Sequence, residues 1–170
     1  MAGAITPWLH ILGVAIWVGP QFFLFIAAVP AARTIEDERA RARLMRVMTT
    51  RFGWMAWAAL ALIVTTGISN YFQVNDDFGG IIDDPQYRWL DIFSLKMVLV
   101  VFMVLLTAVH SFIVGPRLLA LSEQENPDRE EQARLRRSSM MISGLILLLS
   151  VGAIFLGALL AQHDYSLAEG

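Results

Sequence analysis

Trp8-Leu9-His10-Ile11-Leu12-Gly13-Val14-Ala15-Ile16-Trp17-Val18-Gly19 is the stretch whose reading decides the fold. It lies inside an apolar run from about Pro7 to Val29, long enough to cross a hydrocarbon layer of about 30 Å as a helix that rises about 1.5 Å per residue. Three more runs of similar length follow, near 53–72, 92–114 and 139–161. Hydrophobic residues make up 56% of the 170-residue chain and the mean hydropathy is +0.58. A soluble domain holds roughly 45–50% apolar residues. The expected fold is therefore all-α, a single transmembrane domain over residues 1–170 built as an integral membrane four-helix bundle with helices at about 7–29, 53–72, 92–114 and 139–161. The segment Ala27-Ala28-Val29-Pro30-Ala31-Ala32 loosely resembles a signal cleavage site. The run before it exceeds the roughly 7–15 residues of a signal core, has no basic flank and holds His10, Pro20 and Gln21, so it reads as a retained helix.

Charge sets the orientation. Arg33, Arg39, Arg41, Arg43, Arg46 and Arg51 lie between the first two runs, and Arg117, Arg129, Arg134, Arg136 and Arg137 between the last two. Basic loops stay cytoplasmic, which puts the N and C termini outside together with the acidic loop that carries Asp76, Asp77, Asp83, Asp84 and Asp91. The expected location is a bacterial inner membrane, with the lipid bilayer as first partner. The arginines alternate with acids and abut the bilayer, so nucleic acid is not an expected partner. No cysteine is present, which removes disulfides and thiolate metal sites. No nucleotide loop, nucleophile elbow or zincin helix occurs either.

Local signals place the boundaries. Helix one is expected to end at Pro30, and the charged stretch from Arg33 to Arg51 to continue as a cytoplasmic helix leading into helix two. The second cytoplasmic loop is expected to open at Gly115-Pro116, and the outer loop to turn at Asn75-Asp76-Asp77-Phe78-Gly79-Gly80 and at Asp84-Pro85. Tyr87 and Trp89 suit the outer interface, and His163 falls in a solvated tail. Gly13, Gly19, Gly144, Ser150, Gly152 and Gly157 would let helix backbones approach.

Titratable groups inside such spans cost about 2.5 kcal/mol or more and turn inward for a purpose. Helices one and three both enter from outside, so His10 and Lys96 fall at similar depth and can meet, with His163 near the same layer. His110 lies fourteen residues past Lys96, roughly 20 Å deeper and close to the same helix face. The face through His10 also carries Val14, Trp17 and Gln21, a polar and aromatic seam. His10 and His110 should not share one porphyrin. A haem on His10 is admissible, with Lys96 or His163 nearby, Arg88 facing a propionate, and Trp17 and Gln21 along its edge. The plain alternatives are a hydrogen-bonded His10, a snorkelling Lys96, a packed His110 and tryptophans that only pack.

The opening stretch and the run from Leu95-Lys96-Met97 to His110-Ser111-Phe112-Ile113-Val114-Gly115-Pro116-Arg117-Leu118 resemble the CopD-like membrane proteins and the related HemJ-type protoporphyrinogen oxidases, and the segment Arg43-Leu44-Met45-Arg46-Val47-Met48-Thr49-Thr50 is similar to the HemJ type. The resemblance covers nearly the whole chain. The HemJ type implies a b-type haem held by a helix-one histidine, here His10, with a helix-three lysine, here Lys96, in the catalytic role of a membrane oxidoreductase. The CopD type implies copper, which would use His10, His163 and Met97 at the outer face; His10, His110 and His163 are the candidate metal ligands of the chain. Three functions follow as expectations: a haem b redox or electron-transfer protein, a copper-binding or copper-transport protein, and a cofactor-free accessory subunit. The accessory reading places the chain in a larger energy-transducing complex; a homo-oligomer is the other expected assembly.

Overall fold

The structure is a computed structural model that describes residues 2–80, 87–122, 124 and 128–168. Along the described residues run α1 (Ala2–Phe23), a π-helical turn (Leu24–Ala28), α2 (Val29–Arg33), α3 (Glu38–Asp77) and α4 (Arg88–Val109). A second π-helical turn (His110–Val114), α5 (Gly115–Ser122), α6 (Arg129–Ala161) and α7 (His163–Ser166) complete the order. Four helical stretches, Ala4–Arg33, Arg39–Asp77, Arg88–Ser122 and Arg129–Ala161, are long and apolar enough to span a membrane. They form the expected all-α four-helix membrane bundle, and side chains such as Ile11, Ile26, Trp54, Leu148 and Phe155 point outward from it. In lipid that exposure is the favourable state, because the backbone polar groups are already satisfied within each helix.

The prolines do not end the helices where the sequence pattern puts the ends. Helix one passes Pro30 to Arg33, and helix three passes Pro116 to Ser122. A proline lacks the amide hydrogen and its ring collides with the carbonyl four residues earlier. At both places a π turn stands directly before the proline, Leu24–Ala28 before Val29-Pro30 and His110–Val114 before Gly115-Pro116. The wider i to i+5 turn shifts the carbonyls away from the ring, so the helix continues. The second basic loop is thus mostly helix, contrary to the expected opening at Gly115-Pro116.

Caps mark the true breaks. Asp37 accepts from the amides of Arg39 and Ala40 at 2.9 and 3.2 Å and starts α3, which runs unbroken from the charged stretch into the second span as anticipated. Asp128 caps α6 in the same way through Glu130 and Glu131. Gly79 and Gly80, at φ of +62° and +84°, close the turn after α3 in the left-handed region that glycine enters without a Cβ penalty. The expected turn at Asp84-Pro85, with Asp83, lies outside the described residues.

α1 packs along α3, α4 along α6, and the two pairs meet where α1 touches α6. The core between them is Trp17, Val18, Ala59, Leu60, Ile63, Met103 and Ile146. A second cluster closes the end that carries the termini: Trp89 and Leu160 are buried, with Tyr71, Phe78, Phe93 and Leu167 against them. Trp89 is therefore a core residue stacked on Phe93 at 5.0 Å, where the sequence suggests an interfacial ring. The tail after α6 folds back over this cluster. Ser166 is fully buried and donates to the Leu160 carbonyl, and the Arg88 amide donates to Ala168.

Candidate functional site

Glycine sets the register of α1 on α3. A methyl added at Gly13 would come within 3.0 Å of Ile63 and 3.4 Å of Leu62, so the backbones meet there. With the helices antiparallel, that contact brings His10, one turn away on α1, opposite Thr66 and Gly67 on α3. His10 Nδ1 lies 3.0 Å from Thr66 Oγ1, and its Cε1 would sit 3.3 Å from a methyl at Gly67. The Thr66 hydroxyl has one hydrogen, and the Leu62 carbonyl at 2.5 Å takes it. With the imidazole hydrogen on Nδ1, Oγ1 accepts it, and that tautomer leaves the Nε2 lone pair for a ligand, the arrangement in which a second hydrogen bond fixes the ring of a metal-binding histidine.

A heptad organises the other pair. On α4 and the π turn after it, Lys96, Met103 and His110 recur every seven residues, and opposite them on α6 stand Gly157, Ser150 and Ser143 in reverse order. The Lys96 ammonium lies over Gly157, where an added methyl would be 3.4 Å from Nζ. Ser150 Oγ lies 3.2 Å from Met103 Sδ and accepts from the indole N–H of Trp17 at 2.9 Å. His110 Nε2 is 3.0 Å from Ser139 Oγ and 3.3 Å from Ser143 Oγ. A seven-residue repeat keeps one face turned to its neighbour along the whole span.

His10 and Lys96 both lie in the half of the bundle that carries the termini, His10 against Thr66 and Gly67 of α3 and Lys96 against Gly157 of α6. The other anticipated residues are engaged elsewhere. His110 sits in the deeper layer, held by two serines. Trp17 is part of the packed centre, 5% exposed and hydrogen-bonded. Gln21 donates to the Trp17 carbonyl at 3.0 Å, and its Oε1 is buried without a partner. The Arg88 guanidinium lies 5.3 Å over the Tyr165 ring and braces the tail. His163 is exposed, edge-on to Phe78 at 4.7 Å. Among the described residues no group of three or more His, Cys, Asp or Glu side chains is placed to hold a metal ion.

A family model described as copper resistance protein D matches residues 45–160. The chain belongs to the CopD family. No curated protein and no solved structure matches it. The CopD match takes in Thr66, Gly67, Lys96, His110 and Gly157, and it begins after α1, so His10 and Trp17 lie ahead of it.

The sequence reading of this CopD-family chain missed Thr66, Gly67, Ser139 and Ser143. All but Ser139 had a signal. Thr65-Thr66-Gly67 interrupts an otherwise apolar run, and Ser143, Ser150 and Gly157 repeat every seven residues.

Proposed function

We propose that this CopD-family chain handles copper in a bacterial inner membrane, in the half of the bundle that carries the termini, with Nε2 of His10 as its ligand. The observation that supports the reading is the 3.0 Å contact of His10 Nδ1 with Thr66 Oγ1, which fixes the ring and, with the hydrogen on Nδ1, leaves the Nε2 lone pair for a ligand. Imidazole and thioether suit copper. Met97, half-buried and next to Lys96 on α4, offers a thioether in that half of the bundle. Copper is cargo in this reading, so a site of few ligands serves it: binding has to be weak enough to release.

A second reading is favoured by Lys96. An ammonium repels a metal cation but suits a carboxylate, and a haem with its iron on the same Nε2 would turn a propionate toward it. Of the residues expected around a porphyrin, His10 and Lys96 lie in the same half of the bundle, while Trp17 and Arg88 are committed to other contacts. A haem would supply one-electron chemistry, and the chain would hold its iron and orient its edge.

One preparation separates the two. The full chain is purified from membranes grown with ample copper and haem, its metal content measured and its visible spectrum recorded, beside His10→Ala. Copper that falls with His10→Ala supports the first reading. A Soret band lost in His10→Ala supports the second and overturns the first. Unchanged copper and no Soret band in either protein refute both.

A further inference from the structure

The charges at the start of α6 are sorted by face. Arg117 of α5 pairs with Glu131, and Arg134 has Glu130 and Glu131 one turn before it. Arg129, Gln132, Arg136, Arg137, Met140 and Met141 follow the other face at three- and four-residue steps and line one open groove. That face has no carboxylate one turn from Arg136 or Arg137. Among the described residues, none of its three arginines has an ion-pair partner.

Depth adds a second constraint. The apolar stretch of α6 starts at Ser139. Arg136 and Arg137 precede it by two or three residues, about 3–5 Å beyond the hydrocarbon edge, where lipid phosphates lie. Met140 is 47% and Met141 65% exposed, just inside that edge. A guanidinium pair at phosphate depth above two flexible thioethers at acyl depth complements an anionic lipid. Guanidinium binds phosphate through paired N–H donors, and methionine adapts to irregular apolar chains.

We propose that this face of α6 binds an anionic phospholipid of the leaflet at the arginine-rich end. The headgroup phosphate is held between Arg136 and Arg137, an acyl chain lies over Met140 and Met141, and Arg129 adds its charge from about 10 Å further out. This site is independent of His10 and of any metal.

The test uses the full chain in nanodiscs of phosphatidylcholine doped with phosphatidylglycerol, reading by native mass spectrometry which lipids stay bound on release. Wild type is expected to retain phosphatidylglycerol preferentially. Arg136→Gln/Arg137→Gln is expected to lower that preference about thirtyfold, some fivefold for each charge near the surface. Arg117→Gln/Arg134→Gln removes the same net charge from arginines that have acidic neighbours, and is expected to change it less than twofold. Arg136→Lys/Arg137→Lys keeps the charge and should restore part of the preference, which shows that the Gln variant does not act by misfolding. Equal losses in the two Gln variants would overturn the proposal in favour of diffuse surface charge. So would absence of preference in wild type, displacement of the lipid by free inorganic phosphate, or a wild-type dimer that the Arg136→Gln/Arg137→Gln change dissolves.

Discussion

Removing the Ser150 hydroxyl tests whether one hydrogen bond joins the two helix pairs. Ser150 is 3% and Trp17 5% exposed, and the indole N–H has the serine oxygen as its acceptor at 2.9 Å. In Ser150→Ala that N–H stays buried with nothing to receive it, which costs about 1–3 kcal/mol by the general rule for orphaned donors. Hydrogen bonds between membrane helices have measured worths near 0.6 and up to about 1.7 kcal/mol. The serine's own hydrogen goes to Ile146 within α6 at 2.8 Å, so its loss adds little. The expected cost is therefore about 1–2 kcal/mol. Trp17→Phe loses the same bond and leaves a void where the indole's second ring was, for about 2 kcal/mol. The double variant should cost about 1 kcal/mol less than the two singles together, because the bond can be lost only once. Thr65→Ala, at an exposed residue whose hydroxyl bonds only to carbonyls of its own helix, should cost under about 0.5 kcal/mol. The assay is reversible unfolding in mixed detergent micelles with tryptophan emission and far-UV circular dichroism as probes. Costs that add within about 0.3 kcal/mol would refute the coupling and leave Trp17 as a residue that only packs.

The His10 seam yields three further predictions. Thr66→Val removes the acceptor that holds the Nδ1 hydrogen, and metal or haem affinity should fall about 10–100-fold, while Thr65→Val leaves it unchanged; titration of the purified variants measures both. Gly67→Ala sets a methyl 3.3 Å from the ring, forces it to move by a few tenths of an ångström and should weaken the same binding, whereas Gly53→Ala meets nothing within 4 Å and should not. At the tail, Ser166→Leu cannot fit a position with no exposure, so the chain beyond Gln162 should detach, become cleavable by added protease and let Trp89 emission shift to the red; an unchanged cleavage pattern and spectrum would show that the fold-back contact does not hold the tail.

Hydropathy alone carried the architecture, since a run of that length has one stable form in lipid. The ends were less legible. Pro30 and Pro116 carry the usual helix-stop signal, and what cancels it is a π turn that has no sequence signature of its own. Trp89 misled for a related reason. An indole near a membrane boundary suits both the interface and a protein interior. The tail decides between them by covering it, and the reach of the seven described residues after the last span is a tertiary fact. Gly19 was read as a contact glycine with Gly13, yet nothing lies within 4 Å of it, because the register that brings Gly13 onto α3 turns Gly19 outward.

The polar layers show what could be read and what could not. That His10 and Lys96 fall in the same half of the bundle was legible from depth, and depth follows from counting residues along helices whose direction is known. Azimuth does not follow from counting in one helix. Lys96 and His110 were visible as close to one face of the third span, but their neighbours, and Met103 between them, became assignable only once α6 lay antiparallel to it with Gly157, Ser150 and Ser143 in step. That pairing turns three isolated oddities in apolar runs into one repeated contact, each large or polar side chain on α4 set against a small residue on α6. It also explains why Trp17 reaches the centre. A serine in the middle of that ladder leaves room for an indole from a third helix and offers it an acceptor, whereas a larger apolar residue there would close the gap and keep the α1/α3 pair apart from α4 and α6.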